Sequence, residues 1–246
     1  MKLGLIVRRS LLWGLPVLLV AGGGLAAWPS LGDRLTRVFG RSGALNRTEG
    51  ALEKLDVYGR VPEFSLTERS GRQLTLADLR GRVWVANFIY TQCTETCPIQ
   101  TAQLARIQAE FAGEKSLRLV SITVDPERDT PAALSRYAER YGAHPDRWLF
   151  LTGDKRAIYR LAKEGFSLGV VDPDDQTQTS RLLPAFGPAP ALATHGSKGL
   201  IIHSARLVLV DGQARIRAYH LPNDEQSLGR LRQNVRVLLR EKTRVK

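Results

Sequence analysis

The sequence contains few of the residues that most often bind transition metals or carry out redox chemistry. Its 246 residues include two cysteines and four histidines. The two cysteines, Cys93 and Cys97, can form at most one disulfide or offer two thiolates to one metal ion. This scarcity leaves two kinds of thiol chemistry, which are soft-metal binding and thiol–disulfide exchange.

Acidic residues are scarce relative to basic ones. The chain has 24 acidic and 36 basic side chains, which gives a net charge of +12, and such a balance favours an anionic membrane or an acidic protein partner. Residues 229–246 alone hold seven basic side chains and one acidic one. Valine and leucine are interleaved with these charges, so we expect a surface helix with a basic outer face and no nucleic-acid partner.

One long uncharged run lies near the N-terminus. Residues 10–28 carry no charge over nineteen positions, about the length that crosses a bilayer as a helix. The basic residues before it predict that residues 1–9 stay cytoplasmic and that the rest is exported to the periplasmic side. We therefore predict a membrane anchor over 10–28, a tether over 29–56 and a domain over 57–246. A cleaved signal peptide is the alternative, because small residues end the run.

From residue 61 onward, strand-like and helix-like segments alternate, which predicts an α/β domain with a mixed sheet. Dense apolar runs over 83–90 and 117–124 predict strands buried on both faces. Turns at Ser70-Gly71 and Asp211-Gly212 predict two hairpins. Further predicted elements are helices over 98–111, 131–141, 154–164 and 225–240, a strand over 148–151, and a loop over 171–199.

Two aspartates, Asp125 and Asp129, follow the second buried strand. They are expected to form a turn before a helix in which Thr130 is the N-cap and Pro131 the first helical residue. A functional alternative is that Asp125 lies near the cysteine loop and tunes its charge.

Both cysteines lie between the first buried strand and the next helix. Pro98 follows Cys97 directly, and a residue before proline is disfavoured in the α region. We therefore expect Cys97 at the N-cap and Pro98 at the first helical position. The helix dipole and its unpaired N–H groups would then favour thiolates. A structural disulfide is the alternative, but this location is more typical of reactive cysteines.

Two thiolates need a third ligand to hold a single metal ion well. His203 stands between the long loop and the last hairpin, whose edge we expect beside the cysteine loop. Two thiolates and an imidazole suit Cu(I) and allow Cu(II) with a weak extra ligand, whereas structural zinc normally takes a fourth protein ligand. His195 is a substitute ligand, and His144 and His220 are expected at the surface.

The Cys-x-x-x-Cys-Pro motif, its flanks and His203 together resemble the Sco/SenC family. The resemblance runs from about residue 61 to 239, and its most specific segments are 81–91, 93–98, 121–131 and 203–211. Members of this family are membrane-anchored, thioredoxin-like copper proteins that serve assembly of cytochrome c oxidase.

The resemblance implies a thioredoxin-like, peroxiredoxin-type mixed sheet flanked by helices. It also implies a copper ion bound by Cys93, Cys97 and His203. The sequence departs from the family at Ile202, where an acidic or amide residue often precedes the ligand histidine and could orient its ring.

The implied function is a metallochaperone that binds copper and supports assembly of the oxidase's dinuclear copper centre. Its expected partners are the copper-bearing subunit of the oxidase, other copper chaperones and thiol reductants. The alternative is a thiol–disulfide reductase, which would use Cys93 and Cys97 but not His203 to keep the oxidase cysteines reduced. A peroxidase of the peroxiredoxin or glutathione peroxidase kind shares the fold, but the sequence has no clear peroxide-activating environment around one thiolate.

Overall fold

The computed structural model describes residues 50–171, 201–202 and 205–244. The predicted anchor over 10–28, most of the predicted loop over 171–199, and both His195 and His203 lie outside these residues. Within the described ranges, no helix combines the length and the apolar character needed to cross a bilayer.

The described chain alternates strands and helices in the order that the sequence predicts, with a few short additions. The strands are Gly59–Arg60 (β1), Ser65–Glu68 (β2), Gln73–Thr75 (β3), Val83–Ile89 (β4), Leu117–Thr123 (β5), Trp148–Thr152 (β6), Val170–Val171 (β7), Ile201–Ile202 (β8), Leu207–Val210 (β9) and Arg215–His220 (β10). The helices are Leu76–Leu79 (α1), Thr96–Glu110 (α2), Pro131–Arg140 (α3), Lys155–Arg160 (α4), which continues as a π-helical turn over Leu161–Gly165, and Glu225–Arg244 (α5).

Eight of these strands form one mixed sheet, in the order β1-β10-β9-β4-β5-β6-β2-β3. The central strands β4, β5 and β6 run parallel, and the remaining neighbours are antiparallel. The predicted mixed α/β sheet is therefore confirmed. β7 and β8 pair separately as a two-stranded sheet.

The central strands are buried because helices cover both faces of the sheet. On one face, Trp84 and Phe88 of β4 pack edge-to-face against Phe166, which follows the π-helical turn. On the other face, the alternate β4 residues Val85 and Ile89 belong to a second apolar cluster with residues of α2, α3 and α5. This two-sided burial explains why the β4 and β5 sequences read as continuous apolar runs.

The predicted tether ends earlier than residue 56. The Glu53 side chain is buried and forms an ion pair with Arg230 of α5, while the Asn234 side chain donates to the Glu53 carbonyl at 2.8 Å. The backbone N–H of Asp56 donates to the carbonyl of Arg217 at 3.2 Å. Residues 51–56 therefore belong to the folded domain, because their polar groups are satisfied by β10 and α5.

Candidate metal and thiol site

The cysteine loop begins where β4 ends. The backbone N–H of Cys93 donates to the carbonyl of Tyr90 at 3.1 Å, which closes a four-residue turn directly after the strand. Because β4 and β5 are parallel neighbours, their carboxyl ends share one edge of the sheet. The loop that carries Cys93 therefore meets the loop that follows β5.

The helix after this loop begins two residues earlier than the sequence predicts. α2 starts at Thr96, so Cys97 is its second residue and Pro98 its third, and Glu95 takes the cap position. The prediction of Cys97 at the N-cap was wrong. The first-turn N–H groups of a helix have no intrahelical acceptor, so proline is tolerated there, and the bias on the residue before it is only a preference.

The two sulfurs differ in exposure. Cys97 is 2% exposed and belongs to the apolar cluster between α2 and the sheet, whereas Cys93 is partly exposed. Both thiols are free. The backbone N–H of Cys97 donates to Cys93 Sγ at 3.4 Å, and Thr96 Oγ1 lies 4.0 Å from the same sulfur. Cys93 therefore occupies the N-terminus of α2 and faces solvent.

Hydrogen bonds to the Cys93 sulfur separate the acidities of the two thiols. The Cys97 thiol, and after it the backbone N–H groups of Cys97 and Glu95, lower the pKa of Cys93 to about 5 even though burial opposes ionisation. The pKa of Cys97 is raised, because its thiol donates to Cys93 and because it is buried. Cys93 is therefore the sulfur that ionises more readily.

This pair can do two kinds of chemistry. A thiolate beside a second, protonated sulfur can take up a soft metal ion, with release of the Cys97 proton when both sulfurs bind. An exposed thiolate with a buried neighbouring thiol can also attack a disulfide and then resolve the mixed disulfide. The two sulfurs are donors that fit copper.

A third ligand is not found among the described residues. No group of three or more histidine, cysteine or acidic side chains that could hold a metal occurs within the described ranges, and His203 lies outside them. The strand register does bring the start of β9 to this edge of the sheet, because β9 is antiparallel to β4, with Ala86 opposite Val208. Leu207, four residues after His203, thus begins β9 at the end of the sheet where the cysteine loop starts.

The two remaining histidines have different surroundings. His144 is exposed, as expected. The prediction that His220 is a surface residue was wrong, because it is fully buried under α5 and its Nε2 lies 3.3 Å from the Asn234 side-chain nitrogen. Burial lowers the pKa of His220 to about 4, so it is neutral at physiological pH. Ala218 and His220 are two residues apart on β10 and so share one face, and this spacing was the sequence signal for the burial of His220.

A buried polar network links the first turns of α2 to the sheet. The Asn87 side chain of β4 lies 3.5 Å from the Gln100 side-chain oxygen and accepts from the Ser121 hydroxyl at 2.7 Å. Trp148 donates to the Ser121 oxygen at 3.0 Å. These four side chains are buried, so they fix the orientation of α2 and of Cys97 on it.

The two aspartates after β5 have separate roles. Thr130 caps α3 by accepting from Ala133 N–H at 3.3 Å, with Pro131 next, as predicted. Asp125 pairs with Arg128 at 3.2 Å.

Asp129, rather than Asp125, contacts the cysteine loop through the backbone and side chain of Thr91. Asp129 was expected only in a turn before α3, so its contact with the cysteine loop was not predicted.

Comparison with known proteins agrees with this geometry. The SCO1/SenC family model matches residues 56–237. A SCO1 protein homolog of Bacillus subtilis is 35% identical over 120 residues, which cover 48% of this chain and 62% of that protein. The bovine mitochondrial SCO2 homolog is 34% identical over 163 residues, which cover 65% of this chain and 58% of the relative. The chain thus spans about six tenths of the length of these two relatives.

Solved structures show the same fold. BsSco, described as a member of the Sco family of cytochrome c oxidase assembly proteins with a disulfide switch, is 26% identical, with a TM-score of 0.59 over 75% of this chain and 96% of that one. Copper-bound ScoI of Bradyrhizobium japonicum is 22% identical, with a TM-score of 0.51 over 71% of this chain and 99% of that one. Since the family model covers most of the chain and includes the cysteine loop, the protein belongs to the SCO1/SenC family.

Proposed function

We propose that this protein binds copper through Cys93, Cys97 and His203 and supports assembly of the dinuclear copper centre of cytochrome c oxidase. The observation that carries the proposal is the pair of free, unequal thiols at the N-terminus of α2. One is an accessible thiolate and the other is a buried thiol held against it. The relatives support the metal: one is a putative copper-binding protein of Stutzerimonas stutzeri, 29% identical over 161 residues.

The residues of the chain prepare the site for copper before the ion arrives. Cys93 offers a ready thiolate at the mouth of the site, and Cys97 offers a second sulfur after losing its proton. The copper ion, when bound, supplies a soft acceptor for both sulfurs. The helix N-terminus stabilises the negative charge of the free site, and that stabilisation falls when the charge is shared with the metal. The ion can therefore be passed to a partner that offers competing ligands.

Copper titration of the purified full chain tests this proposal. We expect Cys93→Ser, Cys97→Ser and His203→Ala each to lower copper affinity. Each loss should exceed the ~10–100-fold that follows when a residue hydrogen-bonded to a metal ligand is removed. His144→Ala is the matched control, because that histidine is exposed and distant from the cysteine loop in the fold, and it should bind copper like the parent. Unchanged affinity in all three ligand variants would refute the proposal.

A thiol–disulfide reductase is the second candidate, favoured by the unequal exposure of the two thiols. The Cys93 thiolate would attack a substrate disulfide and form a mixed disulfide, and one substrate thiolate would leave. Cys97 would then lose its proton and attack Cys93, which releases the second substrate thiolate and leaves the pair oxidised. A His203→Ala variant that keeps full reductase activity and full biological function would favour this candidate over the chaperone.

The proposed location is the periplasmic face of a membrane, with residues 10–28 as the anchor. The support is the uncharged run and the basic residues before it. Protease added to intact spheroplasts should digest the domain over 57–246, and alkaline extraction should leave the undigested chain in the membrane fraction. A chain that is protected from protease or released by alkali would contradict this placement.

A further inference from the structure

The carboxylate of Asp129 makes an unusual set of contacts with the cysteine loop. Its Oδ2 accepts the backbone N–H of Thr91 at 3.0 Å and the hydroxyl of Thr123 at 2.5 Å. Its Oδ1 accepts the hydroxyl of Thr91 at 2.5 Å. One side chain thus binds both the backbone and the side chain of the second residue in the Tyr90–Cys93 turn.

Asp129 is itself rigidly held. Its backbone N–H donates to the Asp125 carbonyl at 2.8 Å, and the next residue, Thr130, caps α3. The residue is 1% exposed, so water does not compete for its three donors. A buried carboxylate with several directed hydrogen bonds has essentially one arrangement, which makes Asp129 a fixed reference point for the loop.

Two of the contacts that position the Cys93 sulfur lie at the two ends of the cysteine loop. On one side, the Tyr90–Cys93 turn is closed by the bond from Cys93 N–H to Tyr90. On the other side, the sulfur accepts the Cys97 N–H at the start of α2. If Asp129 were absent, the Thr91 N–H would lose its acceptor and the turn would relax toward water. The sulfur would then move away from the helix N-terminus.

We propose that Asp129 is a positioning residue for Cys93, which acts by holding Thr91 and thereby keeping the Cys93 sulfur against the N-terminus of α2. This inference depends on the proposed function only in treating Cys93 as the reactive thiol, whether toward copper or toward a disulfide. It concerns the metal-free protein, so it can be tested without copper.

The test is the rate of iodoacetamide alkylation of Cys93 in the metal-free, reduced full chain at pH 6, followed by mass spectrometry of the cysteine peptide. Asp129→Ala should slow alkylation by about tenfold, because the Cys93 thiolate would move away from the Cys97 N–H and lose that charge-assisted hydrogen bond. Asp129→Asn should stay within about twofold of the parent, since an amide oxygen can accept from Thr91 N–H and Thr123 while its NH₂ donates to Thr91 Oγ1. Asp211→Ala is the matched control: it removes a buried carboxylate that binds Arg215 and Arg217 beyond the other end of β9.

Several results would overturn the proposal. Parental alkylation in a folded Asp129→Ala protein would show that the carboxylate does not place the sulfur. Equal slowing in the Asn and Ala variants would overturn it too, because the hydrogen bonds that an amide keeps would then not place the sulfur. If the Ala variant does not fold, Thr91→Val decides, because it removes only the bond to Oδ1 and should slow alkylation in the same direction. A parental rate in that variant would overturn the proposal even if copper binding proves correct.

Discussion

At the scale of single residues, hydrogen bonding and burial together decide how the titratable side chains ionise. Cys93 and Cys97 are the same residue type four positions apart, yet the pKa of the first is lowered and that of the second is raised. The difference arises first because the Cys97 thiol donates to the Cys93 sulfur, and then because Cys97 is buried while Cys93 also accepts backbone N–H groups at the helix end. The sequence predicts reactive thiols here, but which of the two ionises more readily depends on the packing of α2.

His220 makes stability depend on pH in a specific range. Its pKa is lowered by burial to about 4 in the folded protein and is about 6.5 in an unfolded chain. Between these values the unfolded state binds the extra proton, so the free energy of unfolding should fall as pH drops from 6.5 to 4, by up to about 3 kcal/mol. Above pH 6.5 the histidine contributes no pH dependence.

Urea unfolding at pH 7, 5.5 and 4.5 measures this dependence. His220→Gln should show a smaller fall than the parent, because glutamine does not titrate, while the fall due to the lowered pKa of Cys93 remains. His144→Gln, at an exposed position, is the matched control. An identical slope in parent and His220→Gln would refute this assignment of the acid sensitivity.

At the scale of elements, helix ends matter more than helix interiors for this site. α2 presents its first turn to the cysteine loop, and α3 begins at the residue after Thr130, next to the aspartate that holds the same loop. The Thr101 hydroxyl donates to the Cys97 carbonyl at 2.7 Å and also lies 2.8 Å from the Tyr137 hydroxyl of α3. This contact joins the first half of α2 to the second half of α3.

The N-cap of α3 should make a measurable contribution to the free energy of unfolding. Thr130→Ala removes the acceptor for Ala133 N–H and should lower the free energy of unfolding by about 1 kcal/mol. Thr130→Ser keeps the hydroxyl and should be close to the parent. Equilibrium urea titration of the three proteins gives these values, and equal stability of the Ala and Ser variants would show that the cap does not contribute.

At the scale of the whole molecule, the sheet order collects distant segments at one edge. The parallel pair β4 and β5 brings the cysteine loop and the Asp125–Thr130 loop together, although about thirty residues separate them. β9 inserts between β4 and β10, and its first residue lies at the same edge. Residues 51–56 pack against β10 and α5.

The ion pair that holds residues 51–56 against α5 should contribute more to the free energy of unfolding than an exposed ion pair does. Glu53 is almost fully buried, so Arg230→Ala would leave an unpaired carboxylate in the domain and should lower the free energy of unfolding by about 2–3 kcal/mol. Arg106→Ala breaks a pair with Glu225 in which both side chains are mostly exposed, and it should change stability by less than about 1 kcal/mol. Thermal unfolding of both variants tests the difference, and comparable losses would contradict it.

The sequence by itself determined the local features of this protein. Apolar runs located β4 and β5, Thr130-Pro131 located the start of α3, and the Cys-x-x-x-Cys-Pro motif located the site, because each feature depends on neighbouring residues. The predicted ligand His203 and the anchor over 10–28 stay predictions. The start of α2 at Thr96 was missed, since proline tolerates several first-turn positions and the choice depends on how the loop packs.

Only the tertiary structure decided which distant residues support the cysteines. Asp129 reads in the sequence as part of a turn, and His220 reads as the polar end of a strand. Asp129 meets Thr91 because parallel pairing places two loops at one edge, and His220 is buried because α5 covers the end of β10. Such contacts join positions far apart in the chain, and no local pattern records them; folding alone brings them within hydrogen-bond distance.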